Sequence, residues 1–300
     1  MNFTKMQGTG NDFVVVETDD ARRDWAPIAI AMCDRHFGIG ADGLLLVMPS
    51  RVADFRMRIF NADGSEARAC GNGIRCLVKY YVENVRPTPP TRRIRVETMA
   101  GVREARTYQT GGRVTSVRIG MGEPRFAAAE VPVLVPKDDH VVDIKSMLQF
   151  ELPVNGHRFT LNVLSMGNPH AVYVTDRPVA EFPLPEVGPR VERNPIFPNG
   201  VNFEVVRLLG DDEIEARVWE HGVGETLACG SGACAIAVAA RLHGYIGEKA
   251  DIKLPGGTLE VAWDGAGEVF LRGPAETVFT GDWPDIRRPS RRQSQPASEV

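Results

Sequence analysis

The 300-residue chain has no excess of positive charge: Lys and Arg number 35 against 39 Asp and Glu, a formal net charge of -4. A nucleic-acid surface or an anionic membrane face would need a basic footprint, so neither is expected as a partner. Apolar runs are short, and none approaches the roughly 18 residues of a spanning helix. The opening Met1-Asn2-Phe3-Thr4-Lys5 runs into a Gly-rich turn where a signal peptide would be apolar, so a cytoplasmic location is expected. Cysteine is sparse and odd in number, five in all, which argues against a secreted disulfide framework. Cys70 and Cys76 are separated by five residues and Cys229 and Cys234 by four, which does not match the short knuckles of structural zinc, so no metal is expected.

What is present is a soluble composition, 43% hydrophobic and 25% charged, long enough for two domains. Short β-branched or aromatic runs bounded by Gly, Pro or Asp predict strands at Phe13–Glu17, Leu44–Val47, Phe55–Phe60, Arg113–Gly120, Arg158–Leu164, Val201–Arg207, Glu213–Trp219 and Val269–Arg272. Asp24 and Pro27 predict a helix that Gly38 closes. A second helix follows Cys70, with Ile74, Leu77, Val78, Tyr81 and Val82 on one face. A third follows Cys229 and is apolar all round, as a buried central helix would be, with Gly244 as its stop.

The sequence is also written twice. Gly10-Asn11-Asp12-Phe13-Val14-Val15 is echoed by Gly167-Asn168-Pro169-His170-Ala171-Val172, and Ala69-Cys70-Gly71-Asn72-Gly73 by Ala228-Cys229-Gly230-Ser231-Gly232. Asn168 stands 157 positions after Asn11, and Cys229 stands 159 after Cys70. A polar residue precedes each cysteine by nine positions, Asn61 in one half and Glu220 in the other. Two copies of one strand-rich, helix-centred domain account for this, with a boundary near Met121-Gly122-Glu123-Pro124. Beyond Trp283 the polar, Arg-rich residues 285–300 are expected to form a disordered tail.

Each Cys-Gly-x-Gly falls where a strand and loop hand over to a helix. A thiol there faces unpaired N–H groups and a helix dipole, which lower its pKa and also bind a carboxylate. Two such sites about a pseudo-twofold axis put one thiol on each face of a single substrate. Inverting a stereocentre needs that arrangement: a base removes the proton from one face while an acid returns one to the other. The helix N-termini would stabilise the charge that builds up on the carboxylate. Such a site needs no cofactor. Cys33, Cys76 and Cys234, inside apolar helices, read as small buried hydrophobes.

The chain resembles the diaminopimelate epimerase family. The resemblance is carried by Gly8-Thr9-Gly10-Asn11-Asp12-Phe13, Gly38-Ile39-Gly40-Ala41-Asp42-Gly43, Phe60-Asn61-Ala62-Asp63-Gly64-Ser65-Glu66 and Cys70-Gly71-Asn72-Gly73. In the second half it continues in Met166-Gly167-Asn168-Pro169-His170, Val201-Asn202-Phe203-Glu204 and Gly224-Glu225-Thr226-Leu227-Ala228-Cys229-Gly230-Ser231-Gly232. It implies an α/β protein of α+β type with two pseudo-repeated domains, each a barrel-like, mostly antiparallel sheet around a central helix. The expected spans are residues 1–124, completed by a last strand at about 275–284, and residues 125–274. It further implies a homodimer that interconverts LL- and meso-diaminopimelate with Cys70 and Cys229 as the acid/base pair. Gly71, Asn72, Gly230 and Ser231 would hold the reacting carboxylate. Asn11, Asn61, Asn168, Asn202, Glu220 and His221 would bind the rest of this small amino-acid substrate. His170 is a candidate for tuning a thiol together with Glu220. One position departs: the family usually has Glu-Arg-Gly where this chain has Glu220-His221-Gly222, and imidazole does not reproduce a bidentate guanidinium grip. His221 therefore leaves open a sister racemase acting on another amino acid. A redox-sensing protein with a regulatory Cys70–Cys229 disulfide is a third reading.

Overall fold

The computed structural model describes residues 1–284 apart from residues 69, 88, 90–91, 136–140 and 211, so the Arg-rich tail lies outside the described residues. Among the described residues, four α-helices are set among strands: α1 (Ala26–Cys33), α2 (Gly71–Tyr80), α3 (Leu184–Glu192) and α4 (Gly230–His243). No helix among the described residues is long and apolar enough to cross a membrane.

The repeat seen in the sequence is a repeat of topology. In the first half, Asn2–Gly8 pairs antiparallel with Asn11–Glu17, which runs parallel to Gly43–Met48, itself antiparallel to Phe55–Asn61. In the second half, His157–Ser165, Pro169–Val174, Asn202–Gly210 and Glu213–Glu220 repeat this order and these directions. Each half then enters its central helix and leaves into antiparallel strands: Arg93–Thr98, Gly101–Thr110 and Arg113–Gly122 after α2, and Lys249–Leu254, Gly257–Ala262 and Val269–Gly273 after α4. The last strands of the two halves pair with each other, Leu271 opposite Ile119, and join the sheets. Glu276–Asp282 then returns to lie beside Asn2–Gly8.

The central helices fill the two halves. In α4, Gly230 and every residue from Gly232 to Ala240 are buried, so a helix apolar on all sides is enclosed on all sides. Its many alanines let strands approach closely, while Ile236 and Val238 each contribute about 1.5–3 kcal/mol of burial. It ends at Gly244, whose φ of 80° is the left-handed stop expected of a glycine there. In α2 the predicted face Ile74, Leu77 and Val78 is buried, and Tyr81 and Val82 continue it through one wider turn, Tyr81–Val85.

Two helices differ from the sequence reading. α1 stops at Cys33, five residues short of Gly38. The Asp34 carboxylate accepts the N–H groups of His36 and Phe37, both at 2.7 Å, which favours a turn over further helix. Gly38 is needed for a different reason, since a Cβ there would lie 2.2 Å from the Ala31 carbonyl oxygen. The sequence did not predict α3, because Gly188 and Pro189 lie inside it and both read as breakers. Burial of Leu184, Val187 and Val191 holds it in place. Gly188 lets the Trp219 ring lie against the helix, where a Cβ would come within 2.6 Å.

Candidate active site

Cys70 and Cys229 are the N-cap residues of the two central helices. Both have extended backbone (φ -146° and -114°), and each sulfur accepts the N–H three residues on, from Gly73 at 3.5 Å and from Gly232 at 3.4 Å. Each thiol therefore stands where Ser or Asp would cap an ordinary helix. The two helix starts meet. A Cβ on Gly71 would lie 3.3 Å from the Met121 sulfur, and one on Gly230 would lie 3.9 Å from the methyl of the same Met121. Asn72 Nδ2 donates to the carbonyl oxygen of Ala228, the residue before Cys229, at 3.3 Å. Thus two capped thiols and two sets of first-turn N–H groups converge across one side chain.

The thiols are not tuned downwards as the helix N-termini alone would suggest. Burial pushes the Cys70 thiol up; the Gly73 N–H and Arg75 oppose this, while the carboxylate of Glu220, from the other half, reinforces it. Cys229 is raised further, first by burial and then by Glu220, against the opposing contacts of Ser231 and Gly232. Enclosure outweighs the helix dipole in this protein-filled cleft. Each thiol also faces an acceptor: Asn11 Oδ1 lies 3.8 Å from Cys70 Sγ, and the Glu220 carboxylate accepts from Cys229. Burial raises Glu220 in turn, and the Thr226 hydroxyl, donating at 2.5 Å, partly offsets this.

The remaining candidates fall into two groups. Asn11, Asn72, Glu220 and Ser231 (3.4 Å from Cys229 Sγ) lie at the thiols. The Asn72 side chain is fully engaged, donating to Asn11 and Ala228 and accepting from Arg75. Asn61 instead donates to the Ser65 hydroxyl at 2.9 Å. Asn202 ties Pro169 to His221, donating to one carbonyl and accepting the other's N–H at 3.0 Å. The His221 ring rests against Gly200 and lines a cavity of about 460 Å³ with Glu192, Asn194 and Asn199.

His170 is fully buried, and its hydrogen-bond partners are Glu204 and Asn168. Nδ1 lies 2.6 Å from Glu204 Oε1, and Nε2 lies 3.1 Å from Asn168 Oδ1. Glu204 is one strand nearer than Glu220, on the neighbour that runs parallel to the His170 strand. It is fully buried beside Gly232, where a Cβ would lie 2.9 Å from Oε1, and its Oε2 has no hydrogen-bond partner among the described residues. Sequence reasoning passed over Glu204, although it stood within the quoted Val201-Asn202-Phe203-Glu204. It also missed Arg75, buried in α2 and donating to Asn72, Thr9 and Pro274.

A family profile described as diaminopimelate epimerase matches residues 3–127 and 162–278. The chain belongs to the diaminopimelate epimerase family. A diaminopimelate epimerase from Pelotomaculum thermopropionicum is 45% identical over 288 residues, covering 95% of this chain and 99% of that protein. One from Heliobacterium modesticaldum is 46% identical over 291 residues, covering 95% and 100%. Among solved structures, a probable proline racemase from Agrobacterium radiobacter superimposes with a TM-score of 0.68 at 16% identity, covering 94% of this chain and 92% of that one. A phenazine biosynthesis protein from Bacillus anthracis gives 0.66 at 15%, covering 94% and 98%. These distant structures establish the shared two-part fold, and the close relatives establish this epimerase family.

Proposed function

We propose that the protein interconverts LL- and meso-diaminopimelate by proton transfer between Cys70 and Cys229, without a cofactor. The supporting observation is the convergence of the two thiol-capped helix starts on either side of Met121. One thiolate takes the α-proton and becomes a thiol, leaving a carbanion conjugated with the carboxylate. The first-turn N–H groups of α2 and α4 stabilise that charge. The opposite thiol gives its proton to the other face of the carbon and becomes the thiolate. The reverse reaction restores the starting protonation, so no net proton is gained or lost. Asn61, Asn168, Asn202, Glu220 and His221 are proposed to hold the distal end. The protein is further proposed to work in the cytoplasm as a homodimer. Exposed Val278 and Phe279 on the Glu276–Asp282 strand support association with a second copy.

The deciding experiment is solvent-deuterium incorporation into a panel of amino acids. Label at the α-carbon of meso-diaminopimelate is expected. Label in another amino acid alone would establish the sister racemase that His221 leaves open, and no label would favour a redox role. His221 also gives a kinetic prediction. A neutral imidazole offers one N–H where a guanidinium offers several, so His221→Arg should lower KM for diaminopimelate with little change in kcat. Steady-state kinetics on both proteins check this. A wild-type preference for a monocarboxylic amino acid, impaired by arginine, would refute it.

A further inference from the structure

A side-chain amide donates at one end and accepts at the other, so its neighbours decide which end faces a site. Asn11 Nδ2 lies 2.6 Å from Asp42 Oδ2. A carboxylate has no proton to give, so the NH₂ end of Asn11 must face Asp42. Its oxygen is thereby turned to Cys70 Sγ, at 3.8 Å, and to Asn72 Nδ2, at 3.3 Å. The far end is fixed with equal certainty. Arg75 Nη1 donates to Asn72 Oδ1 at 2.8 Å, and a guanidinium cannot accept, so the Asn72 NH₂ must face Asn11 and Ala228. The result is a chain of fixed polarity from the carboxylate of Asp42, through two amides beside Cys70, to the buried guanidinium of Arg75.

Asp42 is itself held firmly. Its Oδ1 accepts from Arg35 Nη2 at 2.8 Å, and its Oδ2 also accepts the Asp12 backbone N–H at 3.0 Å. Arg35 bonds Asp12 too, and Lys5 reaches Asp12 at 2.5 Å. This cluster lies behind Asn11, on the side away from the thiol.

The geometry points to Asp42 as a positioning residue that makes Asn11 a hydrogen-bond acceptor for the Cys70 S–H, biasing Cys70 towards its thiol form in the free enzyme. The other charged groups acting on Cys70 are Glu220, which favours the thiol, and Arg75, which favours the thiolate. This inference rests on Cys70 being one of the two acid/base groups, but its test uses no turnover. A negative result here would leave the epimerase reading intact, and failure of deuterium incorporation would leave the amide orientation intact.

In Asp42→Ala the Asn11 NH₂ loses its carboxylate acceptor and the amide, held then by Asn72 alone, is free to turn its oxygen away from the sulfur. The measurement is the rate of Cys70 and Cys229 alkylation by iodoacetamide between pH 7 and 10, read by peptide mapping. At neutral pH the Cys70 rate is expected to rise about fivefold, the effect of one hydrogen bond lost, while Cys229 is unchanged. Asp12→Asn removes a charge from the same cluster without touching the Asn11 amide, and is expected to leave the Cys70 rate within about twofold. An unchanged Cys70 rate in Asp42→Ala, or an equal acceleration in Asp12→Asn, would overturn the assignment. Should Asp42→Ala not fold, Asn11→Ala removes the acceptor directly and is expected to accelerate Cys70 in the same sense. An unchanged rate there would overturn it equally.

Discussion

Cys70→Ala and Cys229→Ala are each expected to lose roughly 10³-fold or more in epimerisation, measured from either stereoisomer. In the proposed mechanism each face of the substrate carbon has one acid/base group, so removing either stops inversion in both directions. Alanine also removes a helix cap, which costs about 1 kcal/mol of stability. Cys70→Ser and Cys229→Ser separate the two effects. The hydroxyl still accepts from Gly73 or Gly232, so these proteins should fold normally, yet a hydroxyl is far too weak an acid to replace the thiol. Elimination of halide from a β-halogenated substrate needs a proton removed from one face only. Each alanine variant should therefore retain it for the stereoisomer that presents its α-proton to the surviving cysteine. Near-normal epimerisation in either alanine variant would rule out a two-thiol mechanism.

The parts of this site that were legible in the sequence are those made by local rules. A cysteine before Gly-x-Gly at the start of an apolar helix is an N-cap from its neighbours alone, and its repetition 159 residues later indicated the second face of the cleft. The eight predicted strands are all present, because alternation and turn residues are also local signals. Other features depended on partners distant in the chain. Arg75 is a buried charge whose acceptors include Thr9 and Pro274, 66 and 199 residues away. Nothing within α2 shows that its arginine points inward. His170 could have met any acidic residue of the second half; the parallel pairing of its strand with Asn202–Gly210 selected Glu204. The direction of the thiol shifts was hidden for the same reason. The helix dipole is written in the local sequence, but the enclosure that outweighs it exists only once the two halves close together. Asp42 was quoted among the family motifs without a role, since its relation to Asn11 spans 31 residues.

That enclosure determines how the protein should respond to oxidants. Attack on an oxidant requires thiolate, and burial holds both Cys70 and Cys229 above the ordinary thiol value. Oxidation of the free enzyme should therefore be slow near neutral pH. It should speed up about tenfold per pH unit until the pH passes the raised midpoint of the first thiol to ionise. The other cysteines should not compete. Burial pushes Cys33 and Cys76 to about 12 and Cys234 higher still, and all are enclosed in the core. Two thiols proposed to serve one carbon can be drawn within disulfide range, about 5.5–6 Å between Cα atoms, when the cleft closes empty. The expected product is one Cys70–Cys229 disulfide, with complete loss of activity, full recovery on adding a reductant, and protection by substrate. Peptide mapping of the inactivated protein without reduction checks the pairing, and the inactivation rate from pH 7 to 10 checks the enclosure. Cys70 and Cys229 both free in fully inactive protein would refute the pairing. A rate already at its plateau at pH 7 would show that the thiols ionise far more easily than their burial implies.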